Sequence, residues 1–156
     1  MAPIKSLFLG ILAALFSLVA EVTFSIFLKE GITPDFFSQL SKLLVISVLV
    51  EEIFKYAVIY KSFYALEKRK DIIINSLFLG LGFSAIEIAL NIINNQNFDS
   101  FLFLLLAGIM FVHILTAGFS GYLLSKKSGV YFTAIRATLV NVIVHFSYNL
   151  AIIYFV

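Results

Sequence analysis

The sequence contains no cysteine among its 156 residues, which excludes disulfide bonds and thiolate chemistry. Charge is also scarce, because only 13% of the residues are charged and the formal net charge is +2. So small a net charge argues against nucleic acid as a partner. Apolar residues, in contrast, make up 62% of the chain, and the mean hydropathy is +1.06. No water-soluble core of this size needs so much apolar surface, so the composition predicts an integral membrane protein.

The apolar residues form long stretches separated by short polar segments, and about 20 residues are enough to cross a hydrocarbon core. We predict five transmembrane helices, which run approximately Ser6 to Leu28, Phe37 to Leu66, Ile72 to Ile93, Phe101 to Leu124 and Gly129 to Phe155. Charged and turn-forming residues in the breaks are typical of helix ends. The expected fold is an all-α, polytopic membrane helix bundle, and residues 1–156 are expected to form a single transmembrane domain.

The lysines and arginines between the spans predict the orientation of the chain. With five spans, most of them fall on the side of the N-terminus: Lys5, Lys61, Lys68, Arg69, Lys70, Lys126 and Lys127. Lys29 and Lys42 fall on the other side. Because basic loop residues favour the cytoplasm, the N-terminus is expected there and the C-terminus on the opposite side of the membrane.

Several polar side chains interrupt the predicted spans, although a charge at the centre of a membrane helix costs roughly 2.5–3.5 kcal/mol. They are Glu51, Glu52, Lys55, Glu87, Asn91, His113, Asn141, His145 and Asn149. Four of them, from four spans, reach a similar depth near the bilayer midplane: Glu51, Glu87, His113 and His145. We therefore expect a polar site in the middle of the bundle. Glu21 has no charged neighbour at helical spacing and is interpreted as structural.

Helical spacing supports this interpretation, because residues three or four positions apart share one face of a helix. On the second span, Glu51 and Glu52 precede Lys55 by four and three positions. The later spans carry small or polar stripes, formed by Ser76, Gly80, Ser84, Glu87, Asn91 and Asn94, by His113, Thr116, Ala117 and Ser120, and by Asn141, His145, Tyr148 and Asn149. Such stripes suit helix contacts inside a bundle. Any one of these residues alone is better explained by a structural hydrogen bond or ion pair. Because several of them converge, however, they indicate a functional site.

Four motifs follow one another along the chain, each on its own predicted helix: Glu51-Glu52-Ile-Phe-Lys55, Phe83-Ser-Ala-Ile-Glu87, His113 with the later Thr116 and Gly118, and His145-Phe-Ser-Tyr-Asn149. Their order and spacing resemble the PrsW-like branch of the CAAX-protease and bacteriocin-processing superfamily. The patterns of that superfamily are EExxK or EExxxR, FxxxE or FxxxH, and two later histidines. These proteins are intramembrane glutamic proteases, so the resemblance implies a membrane endopeptidase.

The resemblance also implies roles for the acidic motifs. Glu51 would be the general base that activates a water molecule, Glu52 would orient that water, and Lys55 would hold the acidic pair. Glu87 stands where the CAAX branch has a histidine that contacts the water. Which carboxylate holds the proton is open at this point.

The later motifs would act on the substrate. His113 and His145, together with Asn149, would polarise the scissile carbonyl and stabilise its oxyanion, a task that needs donors aimed at developing negative charge. The expected substrate is a membrane-anchored or lipidated peptide, reached through the lipid bilayer.

Three alternatives remain open from the sequence. Glutamate and histidine are also zinc ligands, but the chain has no HExxH motif and the resemblance is to metal-free enzymes, so no cofactor is expected and a divalent metal is the rival. The chain could also be a non-catalytic scaffold or partner-binding subunit of the same fold. A small transporter or proton relay would use the same midplane carboxylates.

Overall fold

A computed structural model describes residues 2–29, 36–94, 100–127 and 129–155, which form helices and no strands. The helices are α1 (Pro3–Lys29), α2 (Phe36–Phe63), α3 (Arg69–Asn94), α4 (Ser100–Ser125) and α5 (Val130–Phe155). Each corresponds to one predicted span, which confirms the all-α, polytopic bundle. The predicted breaks at 30–35, at 95–99 and at Ser128 lie outside the described residues.

The second predicted span is three residues too long at its C-terminal end. α2 ends at Phe63, where the chain turns and the Leu66 amide donates to the Phe63 carbonyl at 3.0 Å. The apolar residues that follow Phe63 therefore belong to a turn, and their hydropathy alone did not reveal it.

Four of the five helices are long and apolar enough to cross a membrane: α1, α3, α4 and α5. The remaining helix, α2, has 28 residues and contacts each of the other four. Its central charged residues Glu52 and Lys55 are both 0% exposed. The bundle thus surrounds the charged middle of α2, which would be costly to expose to lipid.

Glycines allow α3 to approach both α1 and α4 very closely. A Cβ atom at Gly10 would overlap the backbone carbonyl of Leu79, and one at Gly80 would overlap the backbone carbonyl of His113. Small residues at helix contacts are the usual means of close packing in membranes. Because Gly80 lies directly against the backbone of His113, the polar stripe of α3 reaches the histidine of α4.

A buried apolar cluster closes one end of the bundle, where α2 ends and α3 begins. It contains Ile59, Phe63, Ile72, Leu79, Ala117 and Leu124. Large exposed apolar side chains cover the outer surface of the bundle, among them Phe103, Phe111 and Ile143. The polar residues in the middle of α2 are therefore separated from one membrane surface by packed side chains.

Candidate active site

The two adjacent glutamates of α2 lie in different surroundings. Consecutive residues of an α-helix point about 100° apart, so the two side chains leave the helix in different directions. The Glu52 side chain is 0% exposed and faces the helix bundle, whereas the Glu51 side chain is 14% exposed. Of the two residues, Glu51 lines the cavity described below, and Glu52 is not among its described lining residues.

Lys55 is the centre of a buried polar network. Its ammonium donates to Glu52 Oε1 at 2.5 Å, to Thr116 Oγ1 at 3.0 Å and to His113 Nδ1 at 3.0 Å. It also lies 5.0 Å from the centre of the Phe83 ring. An ammonium has three N–H donors and no acceptor. Each donor therefore has one acceptor, and the ammonium is fully satisfied.

The contacts of the ammonium determine where His113 carries its proton. Because Lys55 can only donate, His113 Nδ1 must accept, and the proton of a neutral imidazole then lies on Nε2. That nitrogen is hydrogen-bonded to Glu87 Oε2, which is the acceptor. Both ring nitrogens of His113 are thus engaged, one by α2 and the other by α3.

His145 has the opposite arrangement. Its Nδ1 lies 2.9 Å from Glu52 Oε1, a carboxylate oxygen that accepts, so Nδ1 carries a proton. Nε2 is then the nitrogen that can meet a ligand or a water molecule. The two rings meet edge to face, with centroids 4.8 Å apart. The two neighbouring histidines therefore carry their protons on different nitrogens, His113 on Nε2 and His145 on Nδ1.

Two buried carboxylate oxygens in this region have no hydrogen-bond partner among the described residues, Glu51 Oε2 and Glu52 Oε2, and of the two residues Glu51 lines the cavity. Glu51 Oε2 is buried, and its distance to His145 Nδ1 is 3.7 Å, too long for a hydrogen bond. An unsatisfied buried acceptor costs about 1–3 kcal/mol. A water molecule, a substrate group or a metal ion at this oxygen would remove that cost.

The cavity beside Glu51 has a volume of about 240 Å³ and lies mainly between α1, α2 and α3. Its wall includes the carboxylates of Glu21, Glu51 and Glu87, together with Ser47 and Asn149. It is large enough for several water molecules or for part of a peptide. Asn149 reaches it from α5, one helical turn after His145.

The structure brings all the predicted site residues around one centre: Glu51, Glu52, Lys55, Glu87, His113, His145 and Asn149. Two further residues support the network. Thr116 accepts from Lys55, and Asn141 Nδ2 donates to the Thr116 carbonyl at 3.0 Å and to Ser120 Oγ at 2.8 Å. Both belong to the polar stripes seen in the sequence, but nothing in the spacing indicated which atoms they hold.

Glu21 is the residue whose position the sequence suggested least. It lines the cavity, and Ser47 Oγ of α2 donates to its Oε2 at 2.6 Å. Its partner lies on another helix, so helical spacing within α1 gave no signal.

Three of the four candidate ligand residues fit a divalent metal ion. Donor atoms of Glu51, Glu87, His113 and His145 all lie within 4.8 Å of one another. A histidine binds a metal through an unprotonated nitrogen, and His113 Nδ1 already accepts from Lys55. Glu51, Glu87 and His145 are therefore the three residues that would hold such an ion, and three protein ligands are typical of catalytic zinc.

The comparison with protein families agrees with the ordered motifs. A family model described as PrsW family intramembrane metalloprotease matches residues 3–156, essentially the whole chain. Comparisons with curated proteins and with solved structures found no match. The family match confirms the resemblance to the PrsW branch and supports a membrane protease, while its description keeps a metal-dependent reaction open. The chain belongs to the PrsW family of intramembrane proteases.

Proposed function

We propose that the chain is an intramembrane endopeptidase in which Glu51 is the general base for a water molecule held in the cavity. The observation that carries this proposal is the position of Glu51 at the cavity wall with its Oε2 buried and unpartnered, because Glu52 Oε2 is also unpartnered but Glu52 does not line this cavity. Glu52 has a different task, because its Oε1 accepts from both Lys55 and His145. We therefore assign Glu52 to positioning these two residues.

In the proposed reaction, Glu51 takes a proton from water while the water oxygen attacks the carbonyl carbon of the substrate. The C–O bond forms, and the carbonyl oxygen becomes an oxyanion. Asn149 Nδ2 and a protonated His145 are the donors proposed to stabilise that charge. The proton then passes to the leaving nitrogen, the C–N bond breaks, and a carboxylate and an amine are released.

Glu87 and His113 form the opposite side of the site. His113 Nε2 donates to Glu87, and Lys55 fixes the ring from behind. Polarisation of the carbonyl by His113 would require this donor to leave Glu87. We therefore propose that His113 mainly orients Glu87, and that Glu87 is the second acceptor for the water.

A metal-dependent peptidase is the second candidate function. The specific observation in its favour is the set of donor atoms within 4.8 Å, and the family description points the same way. Glu51, Glu87 and His145 would hold the ion. When bound, a divalent ion supplies Lewis acidity to a water or carbonyl oxygen.

We propose a membrane-anchored or lipidated peptide as the substrate, because the proposed catalytic residues lie inside a bundle with an apolar exterior. Residues 1–156 would act as a single domain. The distribution of basic residues supports an N-terminus in the cytoplasm and a C-terminus on the other side.

The test is cleavage of a fluorescence-quenched transmembrane peptide by the purified protein in lipid nanodiscs. We expect cleavage by the wild type and by a Glu67→Gln control at an exposed position, and none by Glu51→Gln. Activity that survives a chelator supports the glutamate mechanism, whereas activity lost with the chelator and restored by zinc supports the metal. If the wild type cleaves no peptide, a scaffold is favoured, or a transporter if liposomes then show ion flux.

A further inference from the structure

An apolar groove continues from the catalytic cavity along α1 and α2. It has a volume of about 330 Å³ and is lined mostly by apolar side chains such as Val22 and Leu44. Three residues line both the groove and the cavity: Leu18, Glu21 and Ser47. Because Ser47 precedes Glu51 by one helical turn, the groove begins one turn from the proposed general base.

Glu21 is the charged residue at the junction of the groove and the cavity. Its hydrogen-bond partner there is the hydroxyl of Ser47, whereas a carboxylate accepts roughly four hydrogen bonds. A carboxylate in a membrane helix is costly, and such residues usually mark a functional site. The proposed reaction does not use Glu21, so its presence at this junction needs another explanation.

The charges around the cavity favour a cation. Its lining residues include the carboxylates of Glu21, Glu51 and Glu87, and none of the lining residues that the structure describes is lysine, arginine or histidine. The Lys55 ammonium lies behind this wall, with its three donors already used. A cleft lined by one sign of charge between low-dielectric walls attracts ligands of the opposite sign.

We propose that Glu21, with Ser47, forms a subsite that binds a lysine or arginine side chain of the membrane-embedded substrate next to the scissile bond. The neighbouring apolar side chains of the substrate would lie in the groove between α1 and α2. This inference rests on the proposed peptidase function, because the occupant is the peptide segment that continues from the cleavage site. It makes Glu21 a specificity-determining residue.

The experiment uses transmembrane peptides that differ at one position, scanned on both sides of the cleavage site. That position carries lysine, its neutral isostere norleucine, or glutamate. For the wild type we expect a preference in kcat/KM for lysine over norleucine of about 10- to 100-fold, the range of a hydrogen bond to a charged group. Glu21→Gln should reduce this ratio to near one, because the lysine of the peptide then loses its counter-charge.

Matched variants distinguish the effect of the Glu21 charge from a general effect of substitutions in α1. Thr23→Ala, at an exposed position of α1, should keep the full lysine preference, and Glu21→Asp should retain part of it. Glu21→Lys should make the glutamate peptide the better substrate. A lysine preference that is absent in the wild type, or unchanged in Glu21→Gln, would overturn the subsite.

Binding of the same peptides, labelled with a fluorophore, is measured in parallel. If no peptide is cleaved but lysine still improves binding in a Glu21-dependent way, the proposed reaction fails and the subsite stands. If peptides are cleaved but lysine improves neither binding nor cleavage, the subsite fails and the proposed reaction stands. If there is neither cleavage nor a lysine-dependent gain in binding, both fail.

Discussion

Two polar regions meet at α2, and they are built in opposite ways. The first, the lysine network, consists of Glu52, Lys55, His113, Thr116 and His145. The second, the acidic wall, consists of Glu21, Ser47, Glu51, Glu87 and Asn149. In the network the ammonium has all its acceptors and the side chains are almost fully buried. In the wall, carboxylates face a cavity. Glu51 Oε2 in the wall and Glu52 Oε2 in the network both have no hydrogen-bond partner among the described residues, but of these two residues Glu51 lines the cavity.

The difference shows how one pair of adjacent glutamates can serve both stability and chemistry. Breaking a buried ion pair leaves an uncompensated charge and destabilises the fold. Removing a group that has no partner costs little stability, so such a group is available for a reaction. Substitutions in the network should therefore change stability first, and substitutions in the wall should change activity first.

The largest effect is expected for Lys55→Met, which leaves Glu52 buried without its ammonium. The free energy of unfolding should fall by about 3–5 kcal/mol, the usual cost of removing one partner of a buried ion pair. Unfolding by SDS in mixed micelles measures it. Lys61→Met, at an exposed position one turn and a half further along α2, is the control and should change unfolding by less than about 0.5 kcal/mol. Equal free energies of unfolding for Lys55→Met and Lys61→Met would contradict the role of Lys55 at the centre of the network.

A smaller effect, and on activity alone, is expected for Asn149→Ala in the acidic wall. Loss of one oxyanion donor should lower kcat by about 10²–10³-fold, while the free energy of unfolding stays near the wild-type value. Single-turnover cleavage in nanodiscs measures the rate. Asn94→Ala, at an exposed position near the end of α3, is the matched control. A large loss of stability in Asn149→Ala with normal turnover would assign Asn149 to the network instead.

The smallest effect is expected for Tyr56→Phe. The Tyr56 hydroxyl is buried and has no hydrogen-bond partner in the described part of the chain, so its removal should be neutral or slightly stabilising. In Tyr148→Phe, loss of the 2.9 Å hydrogen bond to the Leu105 carbonyl should cost about 1 kcal/mol. Thermal unfolding of the two variants compares them directly. A larger loss for Tyr56→Phe would reveal a partner for that hydroxyl.

The sequence predicted the helices well, because they depend on long apolar runs and on the polar segments that separate them. The end of α2 was missed since the residues after Phe63 are apolar although they form a turn. The seven predicted site residues were found together because the motifs give their order, and helical spacing gives their faces.

Relations between helices were harder to predict. Glu51 and Glu52 are adjacent, so only the packing of α2 against its neighbours decides which of them reaches the cavity. Thr116 and Glu21 each depend on a partner from another helix, Lys55 and Ser47 respectively. No pattern within one helix contains that information.

The most direct test of the division between the two regions is the cleavage rate of Glu51→Gln in a preparation that unfolds like the wild type, measured beside Glu52→Gln. For Glu51→Gln we expect a rate lower by about 10²–10⁴-fold, as for the loss of a general base, with unchanged unfolding. Glu52→Gln should unfold more easily. Wild-type cleavage by Glu51→Gln, with or without added metal, would contradict the assignment of Glu51 as the residue that activates water.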